Sequence, residues 1–533
     1  MNKLLSSIIA FLSLASVSSQ GVAEVPKLVV YITIDQLRGD YLQYFGHTFG
    51  EKGFKKLFNE GLVYHHTRFD FPQLSQAAST ASLHTGANPS YHGIVGDKKY
   101  DFEEKREVSI IYDPAYMGNY TSETFSPLPL QTTTLGDELK LASDGRSDVY
   151  SIAHDANAAI LSAGTLANAA FWIDDYNGKW ATSTFYKNVP WYVDRHNTSE
   201  GLSNKANNET WTPAHLAQYT AFPYSKDTKD FKYSFDKNDK NKFHRIKSSP
   251  YVNTEITNLF AKFIQFADLG KRTNPDMLSI SYYAGNYAEV ADKDFSLEIQ
   301  DTYARLDKEI ERLLDLIEKN VGIKHTLIVL TSTGYFDSST NNTGLLKPKG
   351  EFFPKRCTAL LNMYLMAIYG HGNWVEGYYN EQIYFNRKLI ETAKIDFNDL
   401  QQKSAEFVAQ FSGVQNVTTF GQLLFDTRDE GNQAFRNGMY KKISGDLYLE
   451  LQPGWMIMDE QNKQQIKPIR NNAILTPAVF YGNNLPRADI FRQVKANGIA
   501  ATIAHVLRIR PPNACKEEPF SEFLKMSNKQ KTE

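Results

Sequence analysis

Three short runs of apolar, largely β-branched residues set the limits on what this chain can fold into. Lys27 to Ile34 reads KLVVYITI, Met277 to Tyr282 reads MLSISY, and Thr326 to Thr331 reads TLIVLT. The first is continuous enough to fit a central parallel strand with both faces covered, and the others read as further core strands. Between the second and third runs, Glu298 to Asn320 carries Leu306, Ile310, Leu313, Leu314 and Ile317 at core-facing helical spacing. Strands alternating with helices in this way predict an α/β fold. The first run ends in Asp35. A carboxylate at the carboxyl end of a central strand stands where open α/β sheets gather their ligands.

A second informative stretch is Phe71 to Asp97, FPQLSQAASTASLHTGANPSYHGIVGD. It begins with Phe-Pro, runs through small residues that can open a helix, and ends in a glycine-punctuated turn. The start of such a helix offers free N–H groups and a positive dipole, which suit an anion. Pro72, Thr85, Gly86, Pro89, His92, Gly93, Ile94 and Gly96 follow the nucleophile segment of the alkaline phosphatase superfamily. The stretch resembles in particular its phosphate-irrepressible and nucleotide pyrophosphatase/phosphodiesterase-like branches. The run Ile34-Asp35-Gln36-Leu37-Arg38 is also close to the family's wording, in which the Asp is a metal ligand.

The resemblance extends over nearly the whole chain and implies an alkaline-phosphatase-like three-layer sandwich. Its central sheet would be mostly parallel, with inserted cap regions at about 178–251 and 345–467 of a single domain. The residues that would do the chemistry depart from the family pattern. Counting from Pro72 puts the nucleophile at Ser75, whereas counting back from Thr85-Gly86 puts it at Gln76. The phosphate-holding Asn is replaced by Asp97, read as a turn residue, and the Lys-x-Arg phosphate clamp by Asp155 and Asn157. Asp148 to Trp172, which carries these two, reads as a strand and then a loop. His154, beside them, reads as a packed or surface residue. Of the family's metal ligands only Asp35 is retained. The others fall on Tyr282, Asn286, Thr333, Gly334 and Leu475. Glu289, Asp292 and Asp294 could in principle compensate, but charges on a loop are usually solvated. None of the 12 histidines has Asp four residues before it, and none directly follows an Asp.

With 58 basic against 60 acidic residues and no long single-sign run, the chain has no nucleic-acid-binding footprint. Lys3 followed by the apolar run Leu4 to Val17 reads as an export signal, cleaved after Ser19 or alternatively after Ala23. No cysteine lies near either site, and no later stretch is long enough for a transmembrane segment. The mature protein is therefore expected to be periplasmic or secreted. Cys357 and Cys515 could pair there or remain two separate thiols.

Taken together, the replacements lead to the expectation of an exported, inactive phosphatase relative: a pseudoenzyme. It would have no cofactor and a role binding or supporting an envelope protein, a glycan or a peptide. The alternative is an active phosphomonoesterase, phosphodiesterase or sulfatase-like hydrolase with re-sited chemistry. In that case Ser75, Ser79 or Thr80 would be the nucleophile, and Asp35 with Asp97 would hold zinc or another divalent cation.

Overall fold

The structure is a computed structural model. It describes residues 24–186, 189–219, 230–287, 296–337, 349–425, 430–460, 464–468, 474 and 476–532. The stretch read as an export signal, Leu475, and the acidic residues Glu289, Asp292 and Asp294 lie outside the described residues.

The apolar runs form the centre of an eleven-stranded sheet. Its strands are β1 (Leu28–Asp35), β2 (Leu62–Arg68), β3 (Gly118–Asn119), β4 (Val149–Ala153), β5 (Ala169–Ile173), β6 (Trp180–Ser183), β7 (Asp276–Tyr283), β8 (Thr326–Ser332), β9 (Thr476–Gly482), β10 (Ala488–Ile490) and β11 (Val494–Lys495). The order is β10-β2-β9-β8-β1-β7-β4-β5-β6-β3, with β11 also on β2. The five central strands β8, β1, β7, β4 and β5 are mutually parallel, and antiparallel pairings flank them. The result is a mixed, mostly parallel sheet of the expected class.

Alternation along β1 divides the core in two. Leu28, Val30, Ile32 and Ile34 enter one apolar cluster, and Val29 and Tyr31 enter another. Six helices matter below: α1 (Gln76–Thr85), α2 (Ala156–Ala163), α3 (Lys242–Lys247), α4 (Tyr251–Phe266), α5 (Leu297–Asn320) and α6 (Gly498–Leu507). The α4 and α5 helices cover the first cluster, while α6 covers the second. Helix α2 corrects the reading of residues after Ala153 as a loop. Asp155 caps it, accepting from the Asn157 N–H at 2.9 Å, and its small apolar residues bury against the sheet.

Residues between 350 and 468 build their own apolar cluster around a three-stranded and a four-stranded sheet. They meet the main body through Tyr379, stacked on Tyr100 with ring centroids 4.7 Å apart. The stretch before α4 is tied to α5 by the buried Asp301. That carboxylate accepts from Trp211 Nε1 (2.6 Å), Ala214 N (2.7 Å) and Tyr219 Oη (2.5 Å), and pairs with Arg305. Cys357 and Cys515 are free thiols, Cys357 fully buried, so the disulfide alternative is not realised here. Among the described residues, no helix is long and apolar enough to cross a membrane.

Removing Asp301 strands several buried donors together with the Arg305 charge. Asp301→Ala is therefore expected to cost about 3 kcal/mol or more. Chemical denaturation followed by tryptophan fluorescence measures this, and a change below about 1 kcal/mol would refute the anchoring role.

Candidate active site

The parallel register of β1 with β8 brings Thr333, just past the end of β8, beside Asp35. Thr333 Oγ1 donates to Asp35 Oδ1 at 3.0 Å and accepts from Gln36 N at 2.9 Å. The other carboxylate oxygen, Oδ2, accepts from Gln76 Nε2 at 3.1 Å. Gln76 opens α1, and its amide also reaches His154 Nε2 at 2.9 Å, while His154 Nε2 lies 3.5 Å from Asp35 Oδ2. His154 is thus packed in the buried centre of the site. It stands beside the clamp positions Asp155 and Asn157 but matches no residue of the family pattern itself. It is brought in because β4 is two strands from β1.

Ser75 is the N-cap of α1. Its Oγ accepts from Ala78 N at 3.3 Å. Asp97 accepts from Ala77 N at 2.8 Å, with the Ser75 side chain near enough to act on its carboxyl group. Asp97 lies in the bend after Gly96, and from there it places a carboxyl group on the amino end of a helix, where the dipole favours an anion. Burial pushes its pKa up to about 7, and Asp155 and Asp35 add to the rise, against the lowering by the Ala77 N–H and Ser75. Ser79 and Thr80 are buried a turn further along α1. Of the three hydroxyls considered as nucleophiles, Ser75 alone stands at the open end of the helix.

A cavity of about 240 Å³ opens from this centre, lined by His154, Asp155, Lys247, His244, Tyr283 and Asn286 among others. Lys247, at the end of α3, brings positive charge, with its Nζ 2.5 Å from Asp175 and 3.9 Å from Asp155. Burial would lower its basicity, but the two carboxylates outweigh that and hold it above the ordinary lysine value. His244 is raised by its contact with Asp175. Glu123, near Asp155, is pushed up to about 7 by burial and by that carboxylate. Lys247, His244 and Asp175 lie in polar sequence without a motif, so their role was not legible.

The positions matched to lost ligands fall out differently. Tyr282 does not face the site: its hydroxyl bonds Thr257 at 2.9 Å beneath α4. Side chains alternate along a strand, and Tyr283, paired with Asp35 across β1 and β7, is the one that lines the cavity. Asn286 donates to Asp337 O at 2.8 Å, and its buried Oδ1 has no partner among the described residues. Gly334 has φ +77° and lies against Phe69, whose ring would stand 2.6 Å from an added Cβ. No ligand side chain fits there. Asp155 is occupied in capping α2, and Asn157 Oδ1 is buried without a partner among the described residues.

Residues 29–474 match the family described as type I phosphodiesterase / nucleotide pyrophosphatase. The chain belongs to this family. Among its relatives is alkaline phosphatase PhoV of Synechococcus elongatus, 29% identical over 531 residues, covering 96% of this chain and 95% of that protein. Alkaline phosphatase PafA of Elizabethkingia meningoseptica is 26% identical, with 94% of each chain covered. The crystal structure of wild-type PafA superposes with a TM-score of 0.81 at 25% identity, over 94% of this chain and 99% of that one.

These matches overturn two expectations. Relatives named alkaline phosphatases align over nearly the full length and share the fold, so the reading of the chain as an inactive pseudoenzyme is withdrawn. That reading rested on comparing side chains position by position, which overlooks groups brought in from elsewhere, such as His154 and Lys247. The expectation of no cofactor falls with it, because the family pattern seats divalent cations. The donors present do not reproduce a two-cation cage: among the described residues, no three His, Cys, Asp or Glu side chains gather around one point. What does converge is one carboxylate, one imidazole and one amide, from Asp35, His154 and Gln76. The Gln76 Nε2 atom fills the space between the other two, so these three groups do not fit the cations of the family pattern.

Asp97 makes stability depend on pH. Its folded-state value near 7 lies above its ordinary value of 3.8, so the folded chain holds the proton more tightly. Its contribution is greatest below about pH 4 and is lost as pH rises through about 7. Asp97→Asn, which keeps an oxygen for Ala77 N–H, is expected to flatten this slope and to be relatively more stable at pH 8. Urea melts at pH 5 and pH 8 test it, and an unchanged slope would contradict the assignment.

Proposed function

We propose that this chain hydrolyses phosphoric esters at the carboxyl end of β1, beside the cavity lined by His154 and Lys247, with Ser75 as the attacking group and Asp97 as its base. The observation that carries this reading is that Ser75 caps the amino end of α1 while the Asp97 carboxyl group accepts from Ala77 N in the same first turn at 2.8 Å, so a hydroxyl and a buried carboxyl group share the helix start. A serine attacks phosphorus only when a neighbour removes its proton, and a base poised near neutrality suits that task. The relatives' names support the reaction class.

In the first half-reaction Asp97 takes the proton of Ser75 as Oγ bonds to phosphorus. The same proton passes to the departing ester oxygen. Water then attacks the phosphoserine, Asp97 takes the water's proton, and the proton returns to Ser75 Oγ as the O–P bond breaks. Lys247 and the amino end of α1 offset negative charge on the phosphoryl oxygens. Asn286 Oδ1 is an acceptor for a donor group on the substrate. The amino-terminal pattern of Lys3 and the apolar run from Leu4 supports action outside the cytoplasm.

Turnover of an aryl phosphate and an aryl phosphodiester by the full-length protein, with divalent cations present, is expected to rise with pH through about 7 as Asp97 ionises. Ser75→Ala should fall to background. Asp97→Asn should lose about 10²–10⁴-fold and the inflection near neutrality. Wild-type protein inert on both ester classes at every pH would refute the proposal.

A further inference from the structure

The cavity lined by His154 and Lys247 holds more acceptors than its own donors satisfy. Asp155, Asp175 and Asp337 line it, against Lys247 and His244. Both bases are already engaged by those carboxylates. Lys247 Nζ lies 2.5 Å from Asp175 and 3.9 Å from Asp155, and His244 Nδ1 lies 3.6 Å from Asp175. Asn286, three residues past the end of β7, lines the same cavity and is only 6% exposed. Its Nδ2 donates to Asp337 O at 2.8 Å, and that bond assigns the two ends of the amide. The other end, Oδ1, is buried and has no partner among the described residues. Tyr283 cannot supply one, because its hydroxyl proton is committed to Asn286 O at 2.8 Å.

A buried carbonyl oxygen without a donor carries the cost of an unmade hydrogen bond, so a ligand that brings a donor gains by filling it. Charge and size narrow that ligand. An anionic group would meet the carboxylates of Asp155, Asp175 and Asp337. An apolar group would leave Asn286 Oδ1 unmet. A protonated primary amine answers both, with an N–H for the amide oxygen and a charge that offsets the carboxylates. The cavity, at about 240 Å³, is smaller than the roughly 300–1,000 Å³ of pockets for larger ligands and suits an arm of a few heavy atoms.

We infer that this cavity is a subsite for a primary ammonium group, with Asn286 as a specificity-determining residue, so that the esters accepted are phosphoric esters of short amino alcohols. Such an ester brings its own positive charge into a site rich in carboxylates, which offsets the repulsion its phosphoryl oxygens meet there. The amide oxygen needs an N–H and not charge alone, so a trimethylammonium arm fits less well than a primary one. The inference rests on the hydrolase reading for the phosphoric ester, whereas the ammonium subsite stands on the cavity wall itself, so its test reads binding apart from turnover.

Calorimetry of full-length Ser75→Ala protein with 4-nitrophenyl phosphodiesters that differ only in the second arm provides that test. The arms are 2-aminoethyl, propyl, 2-carboxyethyl and 2-(trimethylammonio)ethyl. The aminoethyl ester is expected to bind about 10- to 100-fold more tightly than the propyl ester, with the trimethylammonium ester weaker than the aminoethyl one. Asn286→Leu should close that gap and Asn286→Asp, which puts a carboxylate at the same place, should widen it. Circular dichroism checks each variant's fold, and the ester series on protein with Asn286 unchanged keeps the test decisive if both variants unfold. Equal affinity for aminoethyl and propyl esters, tighter binding of the carboxyethyl ester, or no binding of any of them would overturn the inference. Sedimentation with phosphatidylethanolamine vesicles, lost in Asn286→Leu, would assign the arm to a lipid head group, and its absence beside tight binding of the soluble ester would assign it to a free ester; either result supports the subsite. The expected binding order without release of nitrophenolate by wild-type protein would leave the subsite standing and defeat the hydrolase reading. Wild-type turnover with no preference among the arms would do the reverse.

Discussion

The arrangement depends on the buried carboxylate of Asp35 at the end of the central strand. A buried carboxylate must be paired or hydrogen-bonded, and this one is shared between Thr333 from the neighbouring strand and Gln76 from the first turn of α1. Those bonds fix the height of α1 above the sheet. They therefore fix where the helix's amino end, Ser75 and Asp97 sit relative to the cavity. If Asp35 lost its partners, the helix start and the cavity floor would lose their common reference.

A second constraint is electrostatic. The site carries Asp35, Asp97, Asp155 and Asp175 with Lys247 as its principal built-in cation. Such an excess of carboxylates disfavours an anionic ester until it is neutralised. It is partly relieved by a proton on Asp97 at low pH, and a bound cation would relieve it further. Protonation silences the base, whereas a cation leaves it free, so the same charge pattern that costs the ionised fold stability also sets the conditions for chemistry.

Much of the architecture was legible. Continuous apolar runs ending in Asp35, Tyr282 and Thr331 gave the strands, and core-facing leucines gave α5, because burial on a regular element leaves a periodic trace. Helix α2 was missed because its alanines and serine carry little amphipathic signal, and its start depends on the Asp155 cap. Chemistry was less legible. Matching position by position selected Tyr282, while strand alternation turned Tyr283 toward the cavity. His154 lies beside the clamp positions without matching one, Lys247 comes from a segment without a motif, and only the fold brings His154 to Asp35 and Lys247 to Asp155. An inventory of lost ligands therefore read as a loss of function, where the folded chain presents a different set of groups.

The most direct test of the account is whether Ser75 becomes phosphorylated during turnover. Full-length protein mixed with an aryl phosphate, quenched in acid and digested, can be analysed by mass spectrometry of the peptide spanning Ser75. The account predicts an added phosphoryl group on Ser75. Turnover with that peptide unmodified, and phosphate found on another residue, would contradict it.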